Sequence, residues 1–465
     1  MEKWQWVSLI LCLFGIFKEF RPSEPFVTEF LIEYKNFTKE TVVQQIYPLG
    51  TYFYLGTLPI VFLITDYLRY KSIIILEGLA FVGVYILLIW GNGINNARVF
   101  EFLFGIACST EVAYYTYIYA KVDKEHYKKV TSFTYTATLV GNFLAAVVAQ
   151  ALVSSKLMNY RELNFLTLTS VSICLGIAFF LPSVKQSIYF HRKPDTPSIT
   201  NGSIQNANSI VITPDDAEGT PNLKGRLSRA YRLLWADFTT AYSNPYIVKW
   251  SVWWAISSAG FLQIINYIQP LWEDIAAYTE NEIYNGAVDA VHTILSALLA
   301  ILVGHISIPW RKWGESLLCV ISLLQGFLLL WMSQTETLMV AYVGYIIFRT
   351  LYQVMITVAS AEVANNITGD SSGLIFGINR FVALLLQSFL TFAVADKGGL
   401  ALGLRPQFNV YGGYFFVLGG IFAVVVGVTG LRHGFRRGSS SEVVANGGPE
   451  HEIVSLTKNN GIAQL

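Results

Sequence analysis

The chain reads as an all-α membrane protein that crosses the bilayer many times, built as two six-helix bundles. Three observations carry that reading. Hydrophobic residues make up 53% of the 465 and charged residues only 14%, where a soluble domain carries about a quarter charged. Apolar runs long enough to cross the hydrocarbon core as helices recur along the whole chain. One long polar segment, Pro182 to Pro245, divides those runs evenly. Mean hydropathy is +0.47, in keeping with all three.

Twelve spans are predicted: about 4–20, 46–65, 72–90, 98–120, 133–155, 163–181, 247–269, 284–306, 314–334, 337–361, 371–395 and 408–431. The first run, Trp4 to Phe17, has the length of a signal peptide. Lys18-Glu-Phe-Arg-Pro22 follows it with no small-residue cleavage site, so it is kept as a first helix. Residues 1–181 then form an N-terminal bundle and 246–431 a C-terminal one. Between them, 182–245 is poor in apolar and aromatic residues and is predicted to be mostly disordered. Its end, Leu223 to Phe238, carries apolar and basic residues at helical spacing suited to a membrane surface. The tail, 432–465, is Ser/Gly/Asn-rich and predicted to be disordered. Two six-helix halves joined by a long inner loop is the plan of the major facilitator transporters.

Placement of Lys and Arg sets the orientation. Arg69 and Lys71 follow span two, Lys121, Lys124, Lys128 and Lys129 follow span four, and Arg311, Lys312, Arg432, Arg436 and Arg437 fall on the same side as the basic central loop. The opposite loops are sparse in bases, and both termini are therefore predicted to be cytoplasmic. Asn36-Phe-Thr38 then faces outward as a glycosylation sequon, whereas the sequons at Asn201 and Asn366 face the cytosol. A net charge of +1 gives nucleic acid no reason to bind. Cys12, Cys108, Cys174 and Cys319 lie in apolar runs with no CxxC or Cys/His cluster, so no metal and no disulfide framework is expected. Walker, nucleophile-elbow, HExxH and dinucleotide signatures are also missing, which leaves no cofactor and no enzyme chemistry to assign.

Charges inside the spans point to function, because a charge at bilayer depth needs a partner or a wet cavity. Glu111 lies near the middle of the run Val99 to Ala120, with Tyr114, Tyr115 and Ile118 on or beside its helical face. A carboxylate among aromatic rings suits an organic cation; equally, Glu111 pairs with a base on a neighbouring helix while the tyrosines pack. Arg21-Pro-Ser-Glu-Pro25 cannot continue a regular helix, which makes Glu24 a second cavity carboxylate or an exposed loop residue. Asp66 and Arg69, after span two, form a charged turn that either braces helices during a transport cycle or is an ordinary basic loop. In the second half, Asn266 closes span seven, Asp289 and His292 sit in span eight, and Arg349 in span ten. Arg380 and Gln387 are seven apart and share a face of span eleven. Arg349 or Arg380 bridging Asp289 and direct substrate contact are both open. His292 is expected to be a packed, hydrogen-bonded residue rather than a proton relay.

The motifs Arg21-Pro-Ser-Glu-Pro-Phe26, Thr65-Asp-Tyr-Leu-Arg-Tyr-Lys71, Glu111-Val-Ala-Tyr-Tyr-Thr-Tyr-Ile-Tyr119, Trp250-Ser-Val-Trp-Trp-Ala255, Ile283-Tyr-Asn-Gly-Ala287 and Leu374-Ile-Phe-Gly-Ile-Asn379 belong together. They resemble the solute carriers for reduced folates and thiamine, most of all the thiamine transporters, over about Ile10 to Leu431. The reduced folate carrier has Arg at the position of Glu111 and Lys at that of Gln387. That reversal fits a cation in place of a dianion. The resemblance implies that Glu111 and Glu24 attract thiamine, Tyr115 stacks on it with Tyr114 in support, and Asn266 bonds its polar ring. Two positions depart: Gly50 stands where many thiamine transporters carry Trp, and Arg380 where relatives of both types carry Thr. The expected function is thiamine uptake across the plasma membrane by alternating access, with an anionic vitamin such as folate, held by Arg349 and Arg380, as the alternative. A membrane receptor without transport is the remaining class, and the driving ion is not read from the sequence.

Overall fold

The computed structural model describes residues 2–122, 124–184, 223–276, 283–305, 309–367 and 372–445. The N-terminal half consists of α1 (Lys3–Glu19), α2 (Tyr47–Leu68), α3 (Lys71–Trp90), α4 (Gly93–Lys121), α5 (Tyr127–Ser154) and α6 (Tyr160–Phe179). An amphipathic helix, α7 (Leu223–Tyr242), leads into α8 (Pro245–Ala276), α9 (Asn285–His305), α10 (Trp310–Gln334), α11 (Leu338–Asn366), α12 (Ser372–Leu390) and α13 (Leu404–Ala445). A helix therefore stands at each apolar run of the sequence. Among the described residues, nine helices are long and apolar enough to cross a membrane by length and composition. The three runs outside that set are α1, α4 and α8. The first is only 17 residues long. The other two carry Arg98, Glu101 and Glu111, or Asn266, Gln269 and Glu273. These same helices supply much of the polar lining of the central cavity.

The halves repeat one packing scheme. In the first, α1 packs on α5 and α6, α2 on α4, and α3 on α4 and α6; in the second, α8 packs on α12 and α13, α9 on α11, and α10 on α11 and α13. Between the halves, α2 meets α12 and α5 meets α9. Small residues allow these approaches, as at membrane helix contacts generally. A Cβ on Gly286 of α9 would lie 2.8 Å from the Ala146 carbonyl of α5, so α9 can sit this close to α5 only with glycine there. Large buried aromatics such as Trp253, Tyr267 and Phe408 fill the second half, and Trp253 satisfies its indole N–H on Ser322 at 3.0 Å.

The two prolines after α1 act as expected. The helix stops at Glu19, and the chain continues through a single 3-10 turn at Glu24–Phe26 and short irregular helical turns to Tyr34. The turn between α2 and α3 is tight, with Arg69 and Tyr70 both at positive φ. The part of the linker from Leu223 is helical, as the spacing of its apolar and basic residues predicts, and packs on α12 and α8, where Tyr242 donates to Asn379 at 2.9 Å. Helix α13 runs past the predicted end of span twelve to Ala445, because no proline interrupts 407–445. The disorder predicted for residues 185–222 and 446–465 lies outside the described residues.

Candidate substrate cavity

Among the described residues, hydrogen bonds between the halves gather at the end of the bundle away from the chain termini. Gln269 donates to the Glu24 carbonyl at 2.9 Å and accepts from the Thr28 N–H at 3.3 Å. Asn285 donates to the Pro25 carbonyl at 2.9 Å and to Glu29 at 2.8 Å. Tyr52 reaches Asp396 at 2.7 Å, and Lys39 lies 3.6 Å from Asp274. Beneath this closure lies a cavity of about 420 Å³ between the halves, a size usual for small-molecule sites.

The break after α1 supplies Glu19, Arg21 and Glu24 to its wall. Arg21 bridges both acids, at 3.1 Å to Glu19 and 2.7 Å to Glu24, while its guanidinium lies over the Phe81 ring. From α2 come Tyr47, Gly50, Thr51 and Tyr54; from α4 come Phe100, Glu101, Phe104 and Cys108. Asn266 of α8 lines the cavity and donates to Thr51 Oγ1 at 3.2 Å across the boundary between halves. Asp289 and Arg349 bridge at 2.5 Å, with Arg349 also donating to the Tyr345 hydroxyl at 3.0 Å. On α12, Arg380 and Gln387 face the cavity together, and Arg380 Nε donates to the Tyr54 hydroxyl at 3.1 Å.

The structure thus brings Glu24, Asn266, Gln387, Asp289, Arg349 and Arg380 to one cavity. It does not bring Glu111, Tyr114 or Tyr115 there. Glu111 accepts a 2.8 Å hydrogen bond from Lys18 of α1, so the neighbouring-base reading of this carboxylate describes its contact. Tyr114 is fully buried, donating to the Leu11 carbonyl at 2.9 Å and packing on Phe14. Tyr115 packs edge-on to Tyr114. The reason is rotational: ten residues apart, Glu101 and Glu111 sit about 80° from each other around α4, and the second face turns toward α1, whose Lys18 pairs with Glu111 while leaving it half-exposed. Asp66 lies in α2, but its side chain falls outside the described residues. Arg69 is exposed and, among the described residues, has no ion-pair partner; it closes α2 in the left-handed region. Asn36 is exposed, as a sequon must be. His292 is packed at 7% exposure against Thr293, 3.2 Å away.

Glu101 is one of the lining residues that sequence reasoning missed, with Glu19 and Thr51. It is 7% exposed and, among the described residues, has neither a hydrogen-bond nor an ion-pair partner. A Cβ on Gly50 would lie 2.2 Å from Glu101 Oε2. Gly50 therefore makes room for a carboxylate. With every group ionised, the wall carries four carboxylates (Glu19, Glu24, Glu101, Asp289) against three guanidinium groups (Arg21, Arg349, Arg380), an excess of one negative charge.

A family profile described as "Reduced folate carrier" matches residues 2–410. The chain belongs to the reduced folate carrier family. Within this family it is 39% identical to mouse thiamine transporter 1 over 444 residues, covering 90% of this chain and 89% of that protein. It is 37% identical to folate transporter 1 of Caenorhabditis elegans over 423 residues, covering 90% and 91%. Among solved structures, a POT family transporter in complex with a thioalcohol-conjugated peptide superposes with a TM-score of 0.62 at 11% identity, over 90% of this chain and 95% of that one. At that identity the likeness shows the fold alone, and the fold is that of the major facilitator transporters. This member of the reduced folate carrier family is a multi-pass membrane transporter for a vitamin of the thiamine or folate type, not an enzyme.

Proposed function

We propose that the chain carries thiamine inward across the plasma membrane by alternating access, with both termini cytoplasmic. The excess negative charge of the cavity wall supports this reading most directly. A singly charged organic cation neutralises the cavity, whereas a folate dianion adds to its imbalance. Glu101 and Glu24 are the carboxylates assigned to the cation. Asn266 and Gln387 are assigned to its polar ring, and Tyr47 and Tyr54 to its faces. Asp289 and Arg349 are assigned a bridging role, since each satisfies the other and Asp289 is the less exposed acid, whereas Glu24, though paired with Arg21, keeps 41% of its side chain exposed. With the termini inside, the closed end faces outward, and opening requires Gln269, Asn285 and Tyr52 to release their partners.

One observation favours a second reading, an anionic vitamin such as folate. Arg380 hydrogen-bonds a tyrosine hydroxyl and, among the described residues, has no carboxylate within ion-pair distance, Glu111 acting on it only through space, so its guanidinium is available to an anion. The deciding experiment is radiolabelled thiamine uptake in transporter-deficient cells expressing this chain, with unlabelled thiamine and reduced folate as competitors. Inhibition by thiamine alone is the expected result. Uptake of folate but not thiamine, with the protein at the surface, would overturn the cation reading.

A further inference from the structure

A second group of charges lies beside the cavity, where α1 ends. Lys18 is buried at 2% exposure among carboxylates from three helices. Its Nζ lies 2.8 Å from Glu111 Oε1, 3.2 Å from Glu19 Oε1 and 3.5 Å from Glu77 Oε1. Arg21 shares Glu19 at 3.1 Å but also holds Glu24 at 2.7 Å. Even with Arg21 counted, two cations face four carboxylates. Glu77, on α3, is 1% exposed, and neither of its oxygens accepts a well-formed hydrogen bond. The other titratable groups around Lys18 are Tyr114 and Tyr115 of α4, whose ring centroids lie 5.0 and 5.7 Å from Nζ, and Cys174 of α6, whose thiol contacts the Phe14 carbonyl. None of these donates to Glu77 among the described residues.

Burying the Glu77 charge with only a shared ammonium 3.5 Å away is costly, and a bound proton removes that charge. Glu101, which has no partner among the described residues, differs in lining the cavity, where water or a substrate cation meets its charge. We propose that Glu77 and Lys18 form the proton site of this carrier, with Glu77 holding the proton and Lys18 linking it to the cavity. The link is Glu19, which both lines the cavity and contacts Lys18. A cation entering beside Glu19 draws that carboxylate away from Lys18. Lys18 Nζ then turns to Glu77, whose O–H bond breaks, and the proton passes to water reached through half-exposed Glu111. By reciprocity, protonation of Glu77 strengthens the hold of Lys18 on Glu19 and weakens the cation. This sequence of events rests on the cation reading of the cavity; the proton site itself does not.

The test uses full-length protein, with its glutamate carboxyls labelled with carbon-13, reconstituted in lipid vesicles with a pH dye inside. Infrared spectra of the unliganded protein are expected to show a carboxylic-acid C=O band shifted by the label. Glu77→Gln removes that band, and Glu77→Asp moves it out of the labelled set. Thiamine is expected to abolish the band in the unsubstituted protein and to move about one proton per vitamin. A labelled protein with no such band, or a labelled acid spectrum that neither variant changes, overturns the proton site. A band that is present but indifferent to thiamine, while folate alters it, leaves the proton site standing and overturns the cation reading instead.

Discussion

Replacing Glu101 with Gln tests the site most sharply, because the change keeps the shape and removes the charge. Glu101 is 7% exposed and unpartnered among the described residues, so the substitution breaks no internal contact there. For a cation centred about 5 Å from the carboxylate, an effective dielectric near 20 gives an attraction of about 3 kcal/mol. Water within the cavity trims this to roughly 2–3 kcal/mol, which corresponds to about 30- to 150-fold in affinity. The expected outcome is a rise of that size in the thiamine concentration for half-maximal uptake, with surface biotinylation unchanged. Glu101→Asp recovers part of the loss. If a folate were the substrate, the same change would instead improve uptake by lifting a repulsion. A half-saturation within threefold of the unsubstituted protein, at equal surface expression, would refute the assignment of Glu101 to the cation.

Three further perturbations separate roles around the cavity. Arg349→Met leaves Asp289 as an uncompensated charge and is expected to cost about 3 kcal/mol of stability, measured by thermal unfolding in detergent; adding Asp289→Leu should restore most of it, and no restoration would argue that Arg349 does more than bridge. Asn285→Ala removes the bonds to Pro25 and Glu29 at the closed end. With Cys12, Cys174 and Cys319 changed to serine, it should speed modification of the cavity-lining Cys108 by an impermeant thiol reagent added outside; an unchanged rate would mean that other contacts hold that end shut. Arg380→Thr should lower the half-saturation for thiamine and abolish any inhibition by anionic vitamins, whereas a loss of thiamine uptake with normal folding would assign Arg380 to the substrate.

Helix positions were legible in the sequence because each follows from a local property, a run of apolar residues bounded by charges or turn formers. The break after α1 was legible for the same reason, since Pro22 and Pro25 forbid a regular helix whatever surrounds them. The site was legible only in part. Glu101 and Glu111 occupy one apolar run, and nothing local ranks them. Which one faces the cavity depends on about 80° of helix rotation and on where α1 crosses. Lys18 was hidden by a boundary effect: close to the end of its helix it looks like a flanking base, but fifteen residues from Lys3 place it about 22 Å up the helix axis, inside the bundle. Once Lys18 is inside, Glu111 has its partner, and the argument that singled out Glu111 as a buried carboxylate in need of a cation passes to the residue left unmatched. Gly50 carries the same lesson. Taken alone it is a missing aromatic wall; placed 2.2 Å from Glu101 Oε2 by its absent Cβ, it is the space that lets a carboxylate stand in the cavity. The sequence lists the charges of a transport site, and their pairing, which tertiary contacts alone decide, leaves the ones free to hold a substrate.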